Sequence, residues 1–409
     1  VTQSPQRAVS RDLRRARLGV SLIFFTNGIV LGGFAPRVPE IRDGLDLTYS
    51  GLGVAMAMWP VGALLLGLTA APLIRRLRSS RVATVGMVVS VLAMLVAGSA
   101  DGVLLFGAAL FLVGATDAIV DVAQNAHGLR VQRRYGRSIF NSFHALWSAG
   151  AVTGGLIGAA CAGTGVSVPL QFGIQAVVVV GVNVAAYPML LPGPEPRSSA
   201  EEGATEAAVP QHTPLRAIPL RIWGILLALT VIAIGGGWVE DAASTWSASY
   251  MRDEVGAAAG VAALAFVAMQ GSQFVGRLLG DRMVDRWGQR TIARWGGAMV
   301  AVGMGSALAF PTEWGTIVGF GVAGFGVATL IPGAMHAADE LPGLRSGTGL
   351  TILSWLLRLA FLFSPPLVGA IADATSLRVG LALVPMFGVL IILLAGTMAP
   401  RKDSDTVAS

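Results

Sequence analysis

Leu191 to Arg216 reads LPGPEPRSSAEEGATEAAVPQHTPLR. Pro, Ala, Glu and Ser crowd this stretch, and a segment of that composition stays solvated and linker-like rather than packing into a core. What lies on either side of it decides the fold. Apolar runs of roughly 20 residues, the length that crosses a ~30 Å hydrocarbon core, begin near Leu18, Tyr49, Val82, Val103, Ile139 and Val168 before it. Six more begin near Leu220, Gly256, Thr291, Gly315, Gly347 and Val379 after it. The expected organisation is an N-terminal segment 1–17, a six-helix half 18–191, a linker 192–219, a second half 220–398 and a tail 399–409. The fold class is all-α membrane protein, with twelve transmembrane helices in two pseudo-symmetric six-helix halves.

Composition agrees with a chain whose solvent is lipid. Apolar residues make up 54% and charged residues 13% of the 409. The net charge of +6 would suit nucleic acid if the basic residues formed one patch. They alternate with the spans instead. With the N-terminus placed inside, 24 Arg and Lys fall on the inner side, and four, Arg37, Arg42, Arg252 and Arg378, fall on the outer side. That asymmetry follows the positive-inside rule, so both termini are expected in the cytoplasm of a bacterial inner membrane and no nucleic-acid partner is implied. The first apolar run follows the basic leader without a small-residue cleavage site and reads as a first transmembrane helix. Cys161 is the single cysteine, which leaves no intrachain disulfide and no cysteine-based metal site. The sequence holds no phosphate-binding loop and no metal-binding His pair, so the expectation is a monomeric, cofactor-free, non-enzymatic protein driven by a gradient.

The two halves carry matching loops. Arg42-Asp43 in RVPEIRDGL and Arg252-Asp253 in SYMRDEVG stand 210 residues apart, and the basic link Arg75 to Arg81 falls opposite Asp281 to Arg290 at a similar offset. Paired loops in two six-span halves are the pattern of transporters whose substrate site lies between repeats near the bilayer midplane.

The link after the eighth span, GRLLGDRMVDRWGQR (Gly276 to Arg290), closely resembles the cytoplasmic loop signature of the major facilitator superfamily. The resemblance assigns a conformational latch to Gly280, Asp281, Asp285, Arg286, Gly288 and Arg290. Glycines permit the tight turn, and Asp and Arg can tie one half to the other. The first-half copy, LIRRLRSSR, lacks the acid. Three further blocks resemble YbjJ-type bacterial inner-membrane proteins: FFTNGIVLGGFAPRVPEIRDGL, DVAQNAHGLRVQRRYGRSIFNSFHALWSAGAVTGG and GGWVEDAASTWSASYM. Those proteins in turn resemble the fucose–proton symporters. Asp121-Val122-Ala123-Gln124-Asn125 matches the symporters' fourth-span Glu-Thr-Ala-Ala-Asn with Asp for Glu, which implies a proton-coupling carboxylate at Asp121. The first-span acid of those symporters would fall near Ala35 and is not reproduced.

Within the fourth span, Asp117, Asp121 and Asn125 are spaced i, i+4, i+8 and share one helix face. A face so polar cannot meet acyl chains, and an ionisable group at that depth is a functional candidate by default. Two carboxylates in low dielectric cannot both ionise comfortably, so Asp121 and Asp117 are the candidate proton-coupling residues; alternatively Asp121 pairs with Arg133 or Arg137 at the inner mouth. Arg358 sits within the eleventh span, either neutralising a buried acid or anchoring an anionic group. Glu240 is expected at the outer end of the seventh span, with Asp241 turned to solvent and Trp246 at the membrane interface. Asn27, Asn125, Asn141, His144, Glu240, Gln270 and Arg358 form the candidate substrate-binding set, while Gln175, Gln273 and His336 line the cavity or tie helices together. Gly150, Gly154 and Gly158 give the fifth span a small-residue face for close packing.

These observations support a secondary transporter that moves a small polar solute, a sugar among the candidates, with protons as coupling ion. Proton-driven efflux of drugs or metabolites is the alternative, although the fourth-span Arg and the Gly-Pro ending of the fifth-span motif typical of drug–proton antiporters are both missing. A transporter-like sensor that binds without moving solute is a third reading. The expectation of no soluble output domain counts against it.

Overall fold

A computed structural model describes residues 10–193, 219–341, 344 and 347–398. The linker 194–218 and the tail after 398, with the arginines counted in them, lie outside the described residues. Twelve helical spans are present: α1 (Arg11–Gly44), α2 (Tyr49–Leu77), α3 (Ser79–Gly98), α4 (Val103–Tyr135), α5 (Phe140–Gly163) and α6 (Val168–Met189). The second set is α7 (Leu220–Asp253), α8 (Ala259–Trp287), α9 (Gln289–Ala309), α10 (Glu313–Asp339), α11 (Thr348–Ala374) and α12 (Leu377–Thr397). No strand occurs among the described residues. Each span is apolar over at least 18 residues, and large exposed side chains such as Leu104, Val177, Leu220 and Leu393 form the surface that acyl chains cover.

The spans begin within a few residues of the expected positions except for the first. The α1 helix starts at Arg11, where Ser10 accepts a hydrogen bond from the Leu13 amide at 3.3 Å, so most of the arginine-rich leader is helical. Hydropathy could not see this because the turns outside the oil are polar.

Within the first half, α1 and α5 approach until no side chain fits between them. A Cβ at Gly28 or Gly32 would overlap the α5 backbone at Trp147 or Ala151, and one at Gly150 would overlap Phe25 on α1. The glycine face of α5 therefore has a matching glycine face on α1, and together they allow a backbone-to-backbone contact driven by dispersion rather than by exclusion of water.

Backbone geometry records the internal duplication. Gly288, between α8 and α9, has φ 80° and ψ 151°. Arg78, 210 residues earlier between α2 and α3, has φ 75° and ψ 146°. The same turn is built twice, once with the residue that suits it and once with a residue that is strained there.

Among the described residues, the close backbone contacts between the halves gather towards one end of the bundle. Gly53 at the start of α2 packs on the Pro365 backbone, and Gly369 near the end of α11 packs on Tyr49. Gly155 and Gly163 of α5 face Phe266 and Gly260 of α8. All these contacts lie towards the end away from the arginine-rich links. There Arg42 binds Asp253 at 2.6 Å while Arg252 binds Asp43 at 2.8 Å, so the paired loops exchange charges reciprocally across the pseudo-two-fold. Tyr49 donates to Asp253 at 2.8 Å, and Arg42 lies 4.7 Å over the Tyr49 ring. Asp373 on α11 accepts the Tyr49 and Ser50 amides at 2.9 and 2.8 Å, capping α2 from the other half.

A central cavity between the two halves

Between the halves lies a cavity of about 300 Å³. Trp59 and Pro60 of α2 and Asp117 of α4 line one side, and Asp241 of α7 with Arg358 and Phe361 of α11 line the other. Pro60 and Pro365 interrupt the ladders of α2 and α11 at its wall. A second chamber of about 150 Å³ shares Leu31, Asp241, Ser244 and Phe361 with the first, and adds Trp147, Glu240 and Arg277.

The fourth-span acids are placed differently from each other. Asn27 of α1 donates to Asp117 at 3.0 Å and accepts from the Trp147 indole of α5 at 2.6 Å, which links three helices through one amide. Trp59 lies on the same cavity wall as Asp117. Asp121, one turn towards the arginine-rich end, is exposed at the protein surface and accepts from Asn125 at 2.9 Å, with Gln124 at 3.5 Å. It interacts electrostatically with His144 and Arg358, both exposed into the same opening. No ion pair to Arg133 or Arg137 forms among the described residues.

Several expectations are corrected. Glu240 is not at the outer end of its span: α7 continues about 20 Å beyond it, at ~1.5 Å per residue, to Asp253. It pairs in mid-span with Arg277 at 3.0 Å and accepts from Gln273. Arg277, read as part of a loop, belongs to the α8 helix. Asp241 does not face solvent. It is buried, with Thr245 donating at 3.2 Å and Ser364 at 2.7 Å. Trp246 is fully buried against Tyr49 rather than at an interface, and Trp238 packs on Phe387 at 5.0 Å. The cause is a π-helical segment, Ala242–Trp246, that re-aims the side chains around it; regular helix periodicity cannot forecast such a turn.

Of the remaining candidates, Gln270 is buried on the second chamber's wall. Asn141 lies outside the cavity, in a shallow depression with Arg17 and Arg137 at the arginine-rich mouth. Gln175 ties α6 to the Ile29 carbonyl at 3.4 Å, and His336 is exposed 3.6 Å from Glu340. The latch residues do not join the halves in this state. Gly288 makes the turn and Arg290 binds the Met398 carbonyl at 3.2 Å within the same half, while Gly280 packs on Thr329 and Arg286 covers Trp287. Asp281 and Asp285 have no ion-pair partner among the described residues. Trp59, Trp147, Asp241 and Arg277 were missed as cavity residues. For Arg277 a signal existed, since Gln273 and Arg277 stand i, i+4 on a helix that must face Glu240.

Two six-span halves packed together towards one end, around a largely apolar cavity that carries a few charged groups, define a secondary transporter. The Major Facilitator Superfamily model matches residues 20–250 and 227–409, and the chain belongs to that family. It is 29% identical over 384 residues to the "Uncharacterized transporter y4wD" of Sinorhizobium fredii, covering 92% of this chain and 96% of that protein. It is 26% identical to "Membrane protein MosC" of Rhizobium meliloti over 91% of this chain and 87% of that one. Among solved structures, the nucleoside transporter NupG (D323A mutant) superposes with a TM-score of 0.74 at 11% identity, over 94% of this chain and all of that one. That likeness shows the fold. The protein is a multi-pass membrane transporter and not an enzyme.

Proposed function

We propose that this transporter couples movement of a small solute to protons, with its arginine-rich end in the cytoplasm and Asp121 as the main protonation site. The observation that carries the reading is the placement of Asp121: a carboxylate within a membrane span, exposed between the helices and acted on electrostatically by His144 and Arg358. A proton on Asp121 removes the negative charge that Arg358 faces, which changes the electrostatic balance between α4 of one half and α11 of the other. Such a differential interaction is what lets a bound ion bias a two-state equilibrium. The arginine asymmetry supports the sidedness, so the conformation described here is the inward-open one.

The cavity wall is largely apolar, with Trp59, Phe34 and Phe361 on it, and favours a solute with an apolar face over a fully hydroxylated sugar. The same wall supports a second reading, proton-driven export of amphipathic metabolites. Both are tested in proteoliposomes with a ligand taken from a thermal-shift screen of sugars, organic acids, amines and antibiotics. Under an imposed pH gradient, Asp121→Asn is expected to lose accumulation while keeping downhill exchange. Full gradient-driven transport by Asp121→Asn would sink the proposal, and the sign of the gradient that drives flux separates uptake from export.

A further inference from the structure

The cavity's charged groups do not balance. Among the described residues its two chambers are lined by Asp117, Glu240 and Asp241 against Arg277 and Arg358, with Asp121 one turn beyond Asp117 on α4 and His144 acting on Asp121 electrostatically. Arg277 is committed to Glu240 by a 3.0 Å ion pair, while Arg358 lies on the cavity wall, makes no ion pair among the described residues and acts electrostatically on Asp121. Among the described residues the hydrogen bonds to Asp117 and Asp241 come from neutral donors, Asn27 for the first and Thr245 with Ser364 for the second. Neither makes an ion pair among the described residues. The two line the same 300 Å³ cavity, one from each half.

We propose that the cavity binds a protonated organic amine, its ammonium held between Asp117 of α4 and Asp241 of α7 and its apolar body against Trp59, Phe34 and Phe361. An uncompensated carboxylate inside a membrane protein is costly, and a ligand cation supplies charge-assisted hydrogen bonds that neutral donors cannot. Aromatic walls add cation–π attraction to the same ligand, which an anion or a polyol does not gain. The volume is at the small end of the roughly 300–1,000 Å³ typical of small-molecule sites, which suits a monoamine with a single ring. Position argues for Asp241 independently of charge. At the 210-residue offset that relates Arg78 to Gly288, its first-half counterpart is Leu31, also on the cavity wall. One half thus supplies an apolar contact where the other supplies a carboxylate, as recognition of a ligand with one charged and one apolar end requires. The π turn beginning at Ala242 directs Ser244 and Thr245 to the same wall.

The inference rests on the cavity's being the solute site and names its substrate class. It is tested by binding alone, separately from the proton-driven flux of Asp121→Asn. Purified full-length protein is titrated calorimetrically with two matched triads: 2-phenylethylamine, 2-phenylethanol and 3-phenylpropanoate, then cyclohexylmethylamine, cyclohexylmethanol and cyclohexylacetate. At least one amine is expected to bind tenfold or more tightly than its alcohol, with the carboxylate weakest. Asp117→Asn and Asp241→Asn are each expected to erase that preference, and Asp101→Asn, on an exposed link away from the cavity, to preserve it. Equal binding of amine and alcohol, or no amine binding in either triad, overturns the proposal on the unmodified protein even if a variant fails to fold. Retention of the amine preference in both single variants overturns the assigned contacts.

Discussion

At the scale of the residue, two positions are governed by strain and by hydrogen-bond capacity. Arg78 holds a backbone conformation that is nearly exclusive to glycine, at a cost of about 1–3 kcal/mol. Its counterpart Gly288 occupies the same conformation without that strain. Arg78→Gly is therefore expected to stabilise the protein by about 1 kcal/mol, read as a higher melting temperature in detergent, whereas Gly288→Arg should lower it. An unchanged or lowered melting temperature for Arg78→Gly would contradict the assignment of strain. Asn27 shows the other kind of constraint, because its amide group both donates to Asp117 and accepts from Trp147. A side chain with only one of these functions leaves a polar partner unsatisfied in the membrane. Asp117 and Asp121 were legible as functional candidates because carboxylates at i, i+4 stand out in an apolar run. Asp241 was not legible, since an acid next to Glu240 near a predicted helix end looks like a solvated one.

At the scale of the element, glycine patterns and irregular turns do the positioning. The α5 glycines predicted close packing, and the structure supplies the partner face on α1. Gly150→Val would drive methyl groups into the Phe25 backbone, and overpacking of this kind costs about 1–3 kcal/mol or more. The expected outcome is a clearly lower melting temperature. Val152→Ala on the same helix serves as a comparison that removes volume instead. A Gly150→Val protein that melts like the parent would mean that the helices can part without loss. The π segment of α7 is the element that hydropathy could not foresee. It adds residues to a turn without changing composition, and it decides that Trp246 is core and that Asp241 faces the cavity.

At the scale of the whole molecule, the closed end is held by charges exchanged between halves. Arg42–Asp253 and Arg252–Asp43 are partly exposed pairs, each worth little singly, but they act as a network with Tyr49 and the Asp373 cap. Breaking them should leave each half folded and shift the balance towards a state open at this end, because the lost contacts exist only when the halves meet there. For Asp43→Asn combined with Asp253→Asn, spin labels on the α1–α2 and α7–α8 links should report a longer or broader distance distribution, with the melting temperature nearly unchanged. Identical distributions in the double variant and the parent would show that apolar contacts alone close this end.

By itself the sequence determined twelve spans, two halves, the repeat offset of 210 and the acids of α4. These follow from transfer free energies and helix geometry, which act locally and leave their mark in composition and spacing. Only the tertiary structure decided which end is closed, that Glu240 is tied to Arg277 in mid-span, and that Asp241 and Asp117 line one cavity. Those facts depend on how the two halves face each other and on a turn that departs from 3.6-residue periodicity, and neither is written in any single helix.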